Sequence, residues 1–141
     1  MLLGKTIAVT VPAYNEEAQI GMVIETMPDY VDRIVIVNDG SKDKTPEVVN
    51  EYIEKDKKAA IEICRKQISL EANIYNRADL VLQELRADEE KLYPKHQIQN
   101  DNNTDRIVLI NQENSGVGSA IAVGYKWCRD HEIECTAVMA G

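Results

Sequence analysis

The sequence has no phenylalanine and only one tryptophan; six tyrosines complete its aromatic content. The core must therefore be aliphatic, built mainly from Ile, Val, Leu and Ala. Positive charge is scarce: 16 Lys and Arg stand against 24 Asp and Glu, a net charge of -8. That excludes the basic face that non-specific nucleic-acid binding needs, and it leaves no polybasic membrane patch. The three cysteines, Cys64, Cys128 and Cys135, fit no CxxC metal or redox spacing. They read as reduced thiols of a cytoplasmic protein. No apolar run approaches the roughly 20 residues that span a bilayer. The opening Met-Leu-Leu-Gly-Lys lacks the charged and apolar regions of a signal peptide.

What is present suits one globular domain spanning residues 1–141: 44% of the residues are hydrophobic. Thr6 to Val11 is a short β-branched run that Pro12 stops, the pattern of a buried parallel strand. Ile20, Val23, Ile24 and Met27 then recur at helical spacing until Pro28. Arg33 to Asn38 repeats the strand pattern, and Thr45-Pro46-Glu47 opens another helix, with Thr45 as N-cap and Pro46 at the first helical position. Arg106 to Asn111 reads as a third strand, Ala120 to Asp130 as a helix, and Thr136 to Met139 as the start of a fourth strand. Strand and helix alternating in this way predict βαβ units and a parallel sheet. A domain that stops in mid-sheet reads as a fragment.

The stretch between the second and third strands exceeds an ordinary crossover. Ile61, Cys64 or Arg65, Ile68, Tyr75, Ala78, Leu82, Leu85 and Leu92 form an apolar stripe closed by Pro94, with charges on the other face. A helical insertion over about residues 55–105 is expected, its stripe packing against an unspecified surface. It offers a possible arm for homo-oligomer formation. Gln97 to Asp105 reads as a polar loop.

In open parallel sheets, ligands bind beyond the carboxyl ends of the strands. Three polar loops follow three predicted strand ends: Pro12 to Glu17, Asn38 to Thr45 and Gln112 to Ser119. Asp39 offers an acceptor to a base N–H or to ribose hydroxyls, Tyr14 offers a ring face, and Asn15 and Glu16 add polar contacts. Plainer roles stand beside these. Asp39-Gly40 favours a turn whatever its function, Tyr14 can be a packing residue, Glu16 and Glu17 suit a helix N-terminus, and Gly116 and Gly118 can be hinges.

Together, Val11-Pro12-Ala13-Tyr14-Asn15-Glu16-Glu17 and Val35-Ile36-Val37-Asn38-Asp39-Gly40-Ser41-Lys42-Asp43-Lys44-Thr45 resemble the first two signatures of family 2 inverting glycosyltransferases. Asn114-Ser115-Gly116-Val117-Gly118-Ser119-Ala120 is similar to the loop after that family's third strand. Within the family, the pattern most resembles polyprenyl-phosphate sugar transferases of the dolichol-phosphate mannose synthase type.

The resemblance covers residues 5–50 and 106–141 and implies an α/β fold: a GT-A, Rossmann-like parallel sheet with flanking helices. The sheet would be incomplete at its C-terminus and carry the helical insertion between its second and third strands. It implies that Pro12, Ala13, Tyr14, Asn15, Glu16, Asp39, Gly40, Ser41 and Ala140 contribute to a nucleotide site for a UDP- or GDP-sugar. It also implies transfer with inversion to a lipid-phosphate or saccharide acceptor, with Mg²⁺ or Mn²⁺ held by an acidic DxD motif expected after Gly141. On that expectation this chain holds neither the metal ligands nor a catalytic residue, and it is inactive alone. Membrane association, at the inner face, would come only through parts beyond it.

Three rivals are weaker. A dinucleotide-binding oxidoreductase needs GxGxxG, but the run from Gly116 ends in Ile121. A nucleotidyltransferase needs a basic glycine-rich loop after the first strand, where Pro12 to Glu17 is acidic. A non-catalytic nucleotide-binding or helical-arm module is the remaining alternative.

Overall fold

The computed structural model describes residues 1–56, 77–93, 95–100 and 105–140. Their elements run β1 (Ile7–Ala13), α1 (Ile20–Glu25), β2 (Arg33–Asp39), α2 (Thr45–Lys55), α3 (Arg77–Glu90), β3 (His96–Ile98), β4 (Ile107–Gln112), α4 (Val117–Asp130) and β5 (Cys135–Val138). The strands form one sheet in the order β3-β4-β2-β1-β5. All neighbours are parallel except β3, which runs antiparallel to β4. This is the expected α/β, Rossmann-like arrangement, consistent with GT-A.

Alternation along the strands makes two cores. Val9, Val11, Ile34, Ile36, Ile107 and Leu109 pack with Ile20, Ile24 and Val49 from α1 and α2. Ala8, Val35, Val37, Val108 and Ile110 pack with Ala120, Val123 and Trp127 from α4 on the opposite face. With both faces covered, the central strands need apolar residues at every position, which is why Ile34 to Val37 are all fully buried.

Four local expectations are corrected. Pro12 does not stop β1: it pairs with Val37, and Ala13 with Asn38. The carbonyls of Thr6 and Thr10 serve the β5 side through Cys135 and Met139, so even-numbered residues of β1 face β5. The missing Pro12 N–H therefore falls past Thr10, where the β1–β5 register ends, and costs no ladder bond. Next, part of the predicted polar loop is a strand. His96, Gln97 and Ile98 pair with Gln112, Asn111 and Ile110. Ile98 packs on the α4-side core, and the Asn100 side chain extends the ladder by donating to the Ile107 carbonyl at 2.7 Å and accepting from Leu109 N–H at 2.9 Å.

Thr45 is the first residue of α2 rather than its cap, a place taken by Lys44; its hydroxyl is spent in the loop contacts described below. Finally, the stripe residues on or beside α3, Ala78, Leu82, Leu85 and Leu92, are exposed along with Val81, so the stripe does not pack there against the chain's own sheet or helices. Ile61, Cys64, Arg65, Ile68, Tyr75 and Pro94 lie outside the described residues. Of the cysteines, Cys128 is a buried and Cys135 an exposed free thiol.

Helix α4 lies close on the sheet because Gly124 faces Thr10: a Cβ at Gly124 would collide with Thr10 Cγ2. We predict that Gly124→Ala destabilises the fold by about 1–3 kcal/mol, the usual range for overpacking, as read from urea unfolding. Adding Thr10→Ala, which removes the colliding methyl, should recover most of that loss in a double-mutant cycle.

Candidate functional site

The parallel register brings three strand ends together. Ala13 lies beside Asn38, Asn38 beside Asn111, and Asp39 beside Gln112. Asp39 projects on the α4 side and is buried, at 5% exposure. Its Oδ1 accepts hydrogen bonds from Gln112 Nε2 at 2.6 Å and from Ser115 N–H at 2.8 Å; its Oδ2 accepts from Gly116 N–H at 2.9 Å. Gly116 is the N-cap of α4 and holds φ at 94°. The carboxylate thus sits at the positive end of a 14-residue helix, where negative charge is stabilised and hydrogen bonds are charge-assisted. Three of its roughly four lone-pair sites are filled, which leaves one, on Oδ2, for a further donor.

The first two loops lock reciprocally. Asn15 N–H donates to Ser41 Oγ, and Lys42 N–H donates back to Asn15 Oδ1. Glu16 N–H donates to Thr45 Oγ1, Glu17 N–H to Asp43 Oδ2, and Lys44 N–H to Glu17 Oε2. Asn38 Oδ1 accepts from Ser41 N–H while its Nδ2 donates to Asn111 Oδ1, which ties in the third strand. Asn15 holds φ at 55°, a left-handed conformation that Asn tolerates better than most residues. Gly40 has φ at 68°, and a Cβ there would meet the Asn114 backbone nitrogen at 2.9 Å. Its lack of a side chain is what lets the second and third loops touch.

These loops enclose a cleft of about 340 Å³. Six of the nine residues assigned from sequence to the nucleotide site line it: Pro12, Ala13, Tyr14, Glu16, Asp39 and Ala140. Asn114, Gly116 and Val117 complete the wall. Asn15, Gly40 and Ser41 lie in the interlocking loops behind that wall rather than among its lining residues. Asn114, Gly116 and Val117 belong to the Asn114–Ala120 loop that was matched to the family but not assigned to the nucleotide site. Gln112, the direct support of Asp39, carried no signal beyond its place at a strand end. Tyr14 and Val117 remain exposed at 44% and 64%, so the cleft has one aromatic and one aliphatic lip above a carboxylate.

Hard divalent cations take six or more oxygen ligands, carboxylates foremost. The cleft offers Glu16 and an Asp39 largely occupied by backbone and amide donors. Among the described residues, no group of three or more His, Cys, Asp or Glu could hold a metal ion. The residues present therefore do not fit Mg²⁺ or Mn²⁺ by themselves.

Two predictions follow from the loop geometry. Gly40→Ala should cost about 1–3 kcal/mol in urea unfolding, combining left-handed strain with the approach to Asn114. The Asp43 carboxyl is the second case. Desolvation works to raise its pKa, but hydrogen bonds from the Thr45 hydroxyl, Thr45 N–H and Glu17 N–H outweigh it and hold the pKa below the ordinary 3.8. A depressed pKa contributes stability that is present above the unfolded value and is lost as pH falls through the folded one. The stability gap between the native chain and Asp43→Asn should accordingly be full near neutrality and shrink as pH drops below 3.8. Unfolding curves across that range that keep a constant gap would contradict it.

Comparison with known proteins matches the same part of the chain. Residues 8–73 match the profile of Glycosyl transferase family 2. A dolichyl-phosphate beta-glucosyltransferase of Trichomonas vaginalis is 43% identical over 56 residues, covering 32% of this chain and 17% of that protein. A second such enzyme of the same organism is 42% identical over 57 residues, covering 33% and 18%. The match thus spans less than a fifth of the length of these relatives. No solved structure matches. Among the described residues, no helix is long and apolar enough to cross a membrane. The segment that supplies the first two loops of the cleft resembles glycosyl transferase family 2 and is similar to part of these dolichyl-phosphate glucosyltransferases.

Proposed function

We propose that the cleft holds the nucleotide end of a UDP- or GDP-sugar, and that the whole protein transfers the sugar, with inversion, to a lipid-phosphate or saccharide acceptor. The observation that carries this reading is the Asp39 carboxylate. It is preset by three donors, lines the cleft, and keeps acceptor capacity on Oδ2. A nucleobase N–H satisfies that capacity. Tyr14 lies at the same cleft with its ring available to pack beside the base. The family 2 match over residues 8–73 and the names of the dolichyl-phosphate relatives support the reaction class and a lipid-phosphate acceptor.

In such a transfer an acceptor oxygen attacks the anomeric carbon as the bond to the nucleoside diphosphate breaks. The part that falls to this cleft is binding and orientation: a fixed acceptor for the base and walls for its ring. Mg²⁺ or Mn²⁺ in the full enzyme would neutralise the leaving diphosphate, held by ligands outside the cleft.

Isothermal titration with UDP-glucose and GDP-mannose tests the binding half. One of the two should bind saturably. Asp39→Ala should weaken it about tenfold or more, as expected for losing a hydrogen bond to a charged group. That variant also leaves the Gln112, Ser115 and Gly116 donors unpartnered, so a second is needed. Tyr14→Ala, at an exposed position, should weaken binding about fivefold or more with unchanged unfolding. Saturable binding of neither nucleotide sugar would overturn the reading.

A further inference from the structure

Asn38 and Asp39 are successive residues of β2, so their side chains point to opposite faces of the sheet. The pair is matched on β4, where Gln112 meets Asp39 and Asn111 meets Asn38. Asp39 grips the start of α4 on one face. Asn38, 5% exposed, heads a chain of amides on the other. Ser41 N–H donates to Asn38 Oδ1 at 3.1 Å. Asn38 Nδ2 donates to Asn111 Oδ1 at 2.9 Å, and Asn111 Nδ2 donates to Gln99 Oε1 at 3.2 Å. Gln99, just after β3, is itself fixed, because its N–H donates to the Leu109 carbonyl at 2.9 Å.

The polarity of this ladder is set from the cleft end. A backbone N–H can only donate, so Ser41 fixes which end of Asn38 is oxygen, and each amide then fixes the next. The ladder continues through Ser41, whose Oγ accepts from Asn15 N–H at 3.0 Å. Asn111 therefore reaches both of the first two loops, although it is not among the residues that line the cleft. Hydrogen bonds joined in series polarise one another, so such a chain holds its members more firmly than separate pairs.

We propose that Asn111 is a positioning residue of the nucleotide cleft. By orienting Asn38 it holds the Gly40–Ser41 turn against Asn15, and through Gln99 the β3 edge braces the cleft from behind. It acts by presetting the loops, without touching the ligand. This inference rests on the proposed reading of the cleft as a nucleotide-sugar site.

The test uses the ladder's polarity, read by calorimetric titration with whichever of UDP-glucose and GDP-mannose the native chain binds. An ionised aspartate accepts but does not donate. In Asn38→Asp, the amides of Asn111 and Gln99 can both turn over, and every bond re-forms in reverse. In Asn111→Asp only Gln99 needs to turn. Each single variant should therefore stay within about threefold of native affinity, because no polar group loses its partner. The double variant Asn38→Asp/Asn111→Asp sets two carboxylates face to face, which share a hydrogen bond only if one holds a proton. It should bind about tenfold or more weakly at about pH 7.5 and recover most of that loss at about pH 5, where the pair carries a shared proton. The native chain at both pH values is the reference, which cancels the cleft's own carboxylates, Glu16 and Asp39. Asn111→Leu removes both amide groups and should weaken binding about tenfold at either pH; it keeps the test decisive if the double variant does not fold. A double variant that binds like the singles, a loss that is the same at both pH values, or native affinity in Asn111→Leu would overturn the inference and leave nucleotide binding standing. Failure of the native chain to bind either nucleotide sugar overturns the reading of the cleft instead, and this inference with it.

Discussion

One buried carboxylate fixes how the sheet meets the helix that closes its upper end. Asp39 receives Gln112 from β4 and two backbone donors from the start of α4, so it joins β2, β4 and α4 at one point. Each such bond to a charged group is worth more than a neutral one, about 1.5–3 kcal/mol, because the alternative is a buried charge or buried donors without partners. The helix N-terminus adds to the same sum by supplying positive potential where the charge lies. Removing the side chain therefore does more than delete a polar contact of the cleft: it frees the loop that forms the cleft's far wall.

The remaining wall is held by a different device. Between Asn15–Glu17 and Ser41–Thr45, backbone N–H groups of each loop are met by side chains of the other. Short polar loops at strand ends expose many backbone groups that need partners. Here those partners come from residues that also read as a family signature. Asn15, Ser41, Asp43 and Thr45 are best understood as the frame of the cleft, while Pro12, Tyr14, Glu16 and Asp39 are its surface. A signature motif thus contains two kinds of residue, and only the geometry separates them.

Much of this was legible from the chain alone. β1, β2 and β4 announced themselves as continuous β-branched runs because both faces of the sheet are covered. The three loops followed from where those runs end, and with them six of the cleft residues. What was not legible depends on distant partners. β3 is too short and polar to show a period, and it exists because β4 lies beside it. Pro12 stays in its strand because of where the β5 pairing stops, a fact about residues more than a hundred positions away. The donors to Asp39 lie 73 to 77 residues along the chain. Helical spacing in residues 78–92 correctly suggested helix, but amphipathic spacing does not specify a surface to pack against, and Leu82 and Leu85 face solvent.

The central claim is that the space between these three loops, floored by Asp39, is where a nucleotide sugar binds. Mapping backbone amide chemical shifts in the chain during titration with UDP-glucose and GDP-mannose addresses it residue by residue. The account predicts saturable changes concentrated at Ala13 to Glu16, Asp39 to Gly40 and Asn114 to Val117, with the β3–β4 edge unmoved. Changes centred elsewhere in the sheet, or none with either ligand, would contradict it.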